Sequence, residues 1–140
     1  MTKTARNLFL SAGILSVLNF AMPVLSQEEK PTKAVGISVP RTNTLELGGQ
    51  FPELEGYRLQ IRTIVLQPGA HSFYHNHAKR PVVAYLVSGD YTEHRDGEGT
   101  VAHAPGEQWV EDKDVAHWSE NRGQETAYLV NVEVLRPKKK

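Results

Sequence analysis

Residues 69–89 read GAHSFYHNHAKRPVVAYLVSG, and residues 106–121 read GEQWVEDKDVAHWSEN. In the first stretch His75 and His77 flank Asn76. On an extended strand, residues two apart point the same way, with their Cα atoms about 6.6 Å apart. Two imidazoles at that spacing can converge on one metal ion at about 2.1 Å each. The pair sits at the end of an expected strand, just after the turn signal Pro68-Gly69. A third ligand must come from elsewhere. In the second stretch His117 falls on a later expected strand, beyond the turns at Pro105-Gly106 and Asp112-Lys113-Asp114. Two ligands from one strand and one from a distant strand is how an antiparallel barrel builds a three-ligand face.

The same grammar extends outward. From Tyr57 to Leu66 apolar and polar residues mostly alternate, the mark of a half-buried strand, before Pro68-Gly69 turns the chain. Further strands are expected over 81–87, 91–95, 100–103, 108–111, 115–119 and 126–135. Short turn segments such as Ser88-Gly89-Asp90, Asp96-Gly97-Glu98-Gly99 and Asn121-Arg122-Gly123 separate them. Turn signals at such regular spacing argue for an all-β sandwich or barrel. No stretch past residue 26 sustains helical periodicity. Residues 27–50 are polar and carry Pro31, Pro40, Gly48 and Gly49, so they read as an extended arm with one short strand near Val35 to Val39. The barrel domain is expected over 51–136, followed by a solvated basic tail at 137–140.

Composition narrows the chemistry. The chain has 140 residues, one domain's worth. Its formal net charge is +0, which gives no pull toward nucleic acid or an anionic membrane. It contains no cysteine, which excludes disulfides, thiolate metal sites and a cysteine nucleophile. Its 6 histidines, with carboxylates, are left as the metal-binding side chains. At the start, Lys3 and Arg6 precede an uncharged apolar run from Leu8 to Leu25, with the small residue Ser26 next and Glu28-Glu29 after it. Those are the parts of a secretory signal over 1–26, and they imply a periplasmic or secreted protein without a stable membrane anchor after processing.

The two quoted stretches resemble the paired motifs of the cupins. Gly69-x5-His75-x-His77-x4-Val82-x6-Gly89 follows the first, and Gly106-x5-Asp112-x-Asp114-x2-His117-x3-Asn121 follows the second. The resemblance implies a double-stranded β-helix, a small jelly-roll barrel. It also carries a metal-ligand role onto His75, His77 and His117, for one divalent transition metal: iron, manganese or zinc. Cupins often dimerise, so a homodimer is expected, with the N-terminal arm able to add a strand to a neighbour's sheet.

Two departures from the pattern matter. Asp112 and Asp114 stand where the second motif has its turn proline and glycine, a mild change because aspartate tolerates turns. Val82 stands where many cupins carry a glutamate ligand. Three neutral ligands leave the ion its full double charge, which favours an anionic or chelating substrate. Three-histidine cupins that bind Fe(II) for dioxygen chemistry are known. Three histidines with an open position also suit zinc and lyase or hydrolytic chemistry.

Glu93 is the candidate to replace the missing carboxylate. It lies four residues after Gly89, a position that faces an apolar barrel interior in cupins, where an unpaired carboxylate is costly. It reads as a fourth ligand or a general acid/base, or alternatively as an ion-pair partner of Arg80 or Arg95 or a group turned to solvent. Arg80, near the expected barrel mouth, reads as a clamp for a substrate carboxylate or as a surface ion pair. His71 is about 13 Å from His75 along an extended strand, too far to share an ion, and reads as a rim residue. His94 and His103 read as surface residues. Tyr85, Trp109 and Trp118 read as packing or dimer contacts. The three histidines could also form a polar core without metal, which would need other hydrogen-bond partners; apart from that, two functions remain open on this basis. One is a metal-dependent enzyme (dioxygenase, isomerase or lyase) acting on a small organic molecule; the other is a non-catalytic module that binds a small molecule or a metal.

Overall fold

The computed structural model describes residues 29–137. The expected signal segment at 1–26 and most of the basic tail lie outside them. Among the described residues the chain is all-β, with nine strands and one short 3-10 turn at Pro52–Leu54. The strands are β1 (Val35–Glu46), β2 (Arg58–His71), β3 (His75–Asn76), β4 (Val82–Ser88), β5 (Tyr91–Arg95), β6 (Gly99–His103), β7 (Gln108–Glu111), β8 (Ala116–Glu120) and β9 (Ala127–Leu135). They form one curled sheet in the order β6-β5-β8-β2-β9-β4-β7, with β1 paired to β2 and β3 paired to β8.

Strand β2 is the hinge of this arrangement. The strand does not stop at Pro68-Gly69 as the sequence suggested. From Arg58 to Leu66 it pairs with β9, and at His71 it pairs with β8. Between these registers the chain bulges through Pro68 and Gly69, whose φ of 74° is in the left-handed region that glycine tolerates. Asn121 pins the corner. Its amide donates to the carbonyls of Leu66 and Glu125 at 3.0 and 2.8 Å, and its carbonyl oxygen accepts from Gly123 N at 2.9 Å.

The N-terminal arm is more structured than its composition suggested. It forms a twelve-residue strand, β1, antiparallel to β2 of the same chain. Register shifts flank Ile37 and the segment containing Pro40. An edge strand with irregular pairing accommodates a proline that no central strand could.

On the concave side of β2, β9, β4 and β7, cross-strand partners form three rows. Ile64, Leu129 and Leu86 make an apolar row. Arg62, Asn131, Ala84 and Trp109 make the next, and Gln60, Glu133, Val82 and Glu111 the last. The hydrophobic core gathers at the apolar end around Leu66, Ala70, Leu86, Tyr91, Ala127 and Leu129. The polar end is left to the functional site.

Candidate metal centre

His75 and His117 are direct cross-strand partners on β3 and β8. His77 follows β3, where its backbone N–H donates to Val115 O at 3.0 Å. The three rings pack around one point, with centroids 4.7 to 5.1 Å apart. Their ligand atoms lie within 4.8 Å of one another. His77 and His117 are buried, and His75 is partly so.

The outward-facing nitrogens decide what this cluster can hold. His75 Nδ1 donates to Phe73 O at 2.9 Å, and His77 Nδ1 donates to Arg80 O at 3.0 Å. His117 Nδ1 lies 3.1 Å from Glu93 Oε1. The two carbonyls are acceptors, so His75 and His77 carry a proton on Nδ1 and turn Nε2 inward as a lone pair. Nε2 of His77 and Nε2 of His117 face each other at 3.0 Å. A cation between them would bind both nitrogens. Burial lowers the pKa of His77 to about 4 and also pulls His75 down, so these two rings carry no second proton at neutral pH. Three imidazoles converging on one point, two of them held by backbone carbonyls behind, are a fitting donor set for a divalent metal.

Glu93 is fully buried, as its position in the barrel demanded, but its carboxylate points behind His117. It meets Arg95 at 2.6 and 2.7 Å, His103 Nε2 at 3.1 Å and His117 Nδ1 at 3.1 Å. It does not line the cavity beside the histidines. Burial alone would raise its pKa; hydrogen bonding from His103 and His117 outweighs that and holds the carboxyl below the usual carboxylate range. Of the readings left open, the ion pair with Arg95 is formed and the solvent-facing one is excluded; Glu93 also lies with Glu111 and His117 in a second group whose ligand atoms are within 4.8 Å of one another. The reading of His103 as a surface residue is corrected. His103 is buried, stacked on Trp109 at 3.7 Å and placed between Glu93 and Glu107. His94 is largely covered too, stacked on Trp118 at 3.8 Å. His71 stays at the margin, bonded to Ser72 O.

A cavity of about 190 Å³ opens beside the three Nε2 atoms. Ala34, Ile37 and Val39 of β1 and its approach close one side, so the arm builds part of the pocket wall. Arg80 lines it and also pairs with buried Glu133, at 3.0 Å. Arg62 reaches the same carboxylate at 2.5 Å. Two guanidiniums on one carboxylate leave a net positive charge on the wall. Asn131, 7% exposed, also lines the cavity, and its Oδ1 has no hydrogen-bond partner among the described residues.

Sequence reading missed Arg62, Asn131, Glu133 and Glu111. The signal lay in strand parity: Ala127, Leu129, Asn131 and Glu133 share the buried face of β9, and Trp109 shares the inward face of β7 with Glu111. Glu111 is 1% exposed. Its Oε1 accepts from Trp109 Nε1 at 3.0 Å, and its Oε2 lies 3.0 Å from His77 Nε2. Burial and the neighbouring Glu93 raise its pKa.

Residues 62–133 match the family model described as "Cupin domain". This chain belongs to the cupin family. Solved structures agree on the fold. The protein TT1209 from Thermus thermophilus is 25% identical, with a TM-score of 0.50 over 56% of this chain and 74% of its own. A predicted oxalate decarboxylase from Thermotoga maritima is 18% identical, with a TM-score of 0.52 over 76% of this cupin and 94% of its own chain. Ectoine synthase from P. lautus is 17% identical, with a TM-score of 0.53 over 70% of this cupin and 63% of its own chain. No curated protein sequence matches this cupin significantly.

Proposed function

We propose that this cupin holds one divalent transition metal (iron, manganese or zinc) through His75, His77 and His117, and acts on a small organic acid in the adjoining cavity. The observation that carries the reading is the convergence of three imidazoles, with Nε2 of His77 and of His117 3.0 Å apart, at the wall of that cavity. The cavity is smaller than sites for drug-sized ligands, so the ligand is small. Arg80, next to the histidines, offers a guanidinium to a carboxylate; Arg62 adds positive charge, and Asn131 offers a free carbonyl oxygen to a donor. The apolar wall from β1, Ile64 and Leu129 would exclude water from the rest of the ligand. A metal bound there would act as a Lewis acid or as a site for dioxygen. The reaction would fall among the dioxygenases, isomerases and lyases.

One observation favours a second reading, a non-catalytic binding module. Glu93, the expected acid/base, is turned away from the cavity and neutralised by Arg95. Elemental analysis of the protein from its native compartment separates the possibilities. One equivalent of metal in the wild type and none in His117→Ala supports the centre; equal metal in both overturns it. Turnover of a panel of small organic acids by the metal-loaded protein then separates enzyme from binding module.

The periplasmic or secreted location rests on residues 1–26, and mass measurement of the native protein tests it. Loss of the first 26 residues is expected; retention of the whole segment would overturn it. A homodimer is supported by an exposed apolar row on the convex face of the sheet.

A further inference from the structure

The first motif's carboxylate position holds Val82, yet two buried glutamates flank it. In the sheet register Val82 is opposite Glu111 on β7 and opposite Glu133 on β9. Neighbouring strands are about 4.8 Å apart, so a side chain from either can reach the space in front of Val82. Glu133 is committed to Arg62 and Arg80. Glu93, on β5, is bound to Arg95 and His103 and also reaches Glu111 and His117. Glu111 has no lysine or arginine partner among the described residues; its ion-pair contacts are His77 and His117. A buried carboxylate without a cationic partner is costly.

Its oxygen lies within reach of an ion held by His77 and His117. Glu111 Oε2 is 3.0 Å from His77 Nε2 and 4.0 Å from His117 Nε2, and the two nitrogens are 3.0 Å apart. Donors bound to one ion at about 2.1 Å stand about 3.0 to 3.4 Å apart when adjacent and about 4.2 Å apart when opposite in an octahedral site. The edge to His77 therefore fits adjacent donors, and the longer edge to His117 approaches that of an opposite pair. The other oxygen is fixed by the Trp109 indole, which sets the carboxylate's rotation and leaves Oε2 directed at the histidines.

We propose that Glu111 is the fourth protein ligand of this centre, supplying from β7 the carboxylate that Val82 on β4 does not. The inference rests on the three-histidine reading. It converts a site of three neutral ligands into one carrying a single negative charge. The centre then draws on β3, the segment after it, β7 and β8.

The test uses the full chain stripped of metal and titrated with Co(II), read by visible absorption and by competition with a chromophoric chelator. The wild type is expected to bind one Co(II) per chain. Glu111→Gln, close in shape, should bind about tenfold more weakly or worse, with altered d–d bands. The double variant Val82→Glu/Glu111→Val moves the carboxylate across the strand pair and should recover most of the lost affinity. A Glu111→Gln protein with wild-type affinity and spectrum overturns the Glu111 assignment and leaves the histidines standing. Should Glu111→Gln not fold, a folded double variant that stays weak overturns it as well. A wild type that binds no Co(II), or His117→Ala binding like the wild type, overturns the histidine centre itself.

Discussion

At the scale of single residues, the centre depends on what stands behind each imidazole. His75 and His77 lean on backbone carbonyls, but His117 leans on the Glu93 carboxylate, a side chain that can be changed. Glu93 is therefore a positioning residue. Glu93→Gln should keep the chain folded yet weaken metal binding by about 10- to 100-fold, measured by chelator competition. Unchanged affinity would show that β8 alone fixes the ring. The same carboxylate also draws on His103. Burial lowers the His103 pKa, but bonding to Glu93 and Glu107 overrides this and raises it above 6.5. A raised histidine pKa stabilises the fold fully below the unfolded value and loses that contribution as pH climbs through the folded value. The stability gap between the stripped wild type and Glu107→Gln should thus be widest from about pH 5 to about pH 6.5, where Glu107 is ionised and His103 protonated, and shrink as pH rises above that. Thermal unfolding across that range and above it checks this, and a gap that grows as pH rises above it would refute the assignment.

At the scale of elements, glycines mark where strands turn under constraint. Gly89 has φ 87°, and a Cβ there would be 2.5 Å from Ala127 Cα. Gly69 has φ 74°, but a Cβ there would meet nothing within 4 Å. Gly69→Ala should cost only the left-handed penalty, about 1–2 kcal/mol. Gly89→Ala must also displace β9 and should cost clearly more, by about 1–3 kcal/mol. Paired denaturant curves measure the difference, and equal losses would mean that the β4–β5 turn yields freely. These turns were legible in the sequence because glycine and its neighbours act locally. So were the histidines, because period two and the motif spacings are local too. The arm was not. Its polar composition and Pro40 suggested a mostly irregular segment, and only pairing with β2, some twenty residues on, makes it a strand. Glu111 was hidden for the same reason. Parity on β7 turns it inward, but its chemistry depends on lying beside Val82 and His77, which the register across β4 and β7 decides.

At the scale of the whole molecule, the sheet has two unlike faces. The concave face grades from an apolar core to the metal centre and the Arg62–Glu133–Arg80 triad. The convex face carries Ile61, Val132, Val83 and Val110 in one row across β2, β9, β4 and β7. Ile61, Val83 and Val110 are 44%, 52% and 61% exposed, and Tyr85, Val87 and Tyr128 are exposed as well. Apolar side chains in register on four adjacent strands make a contiguous patch, and such patches mark association surfaces more often than free ones. No charged residue interrupts the row, so a second copy of the same chain can lie on it without burying an unpaired charge. A two-fold pairing presents the same patch from both partners. Wild-type protein should therefore run at twice the processed chain mass by light scattering. Val83→Lys, which sets a cation in the middle of the row, should shift it to the single-chain mass and leave Co(II) binding unchanged, because the concave face is untouched. A wild type that is monomeric at concentrations well above micromolar would overturn the dimer. A Val83→Lys protein that stays dimeric would place the interface elsewhere on the molecule.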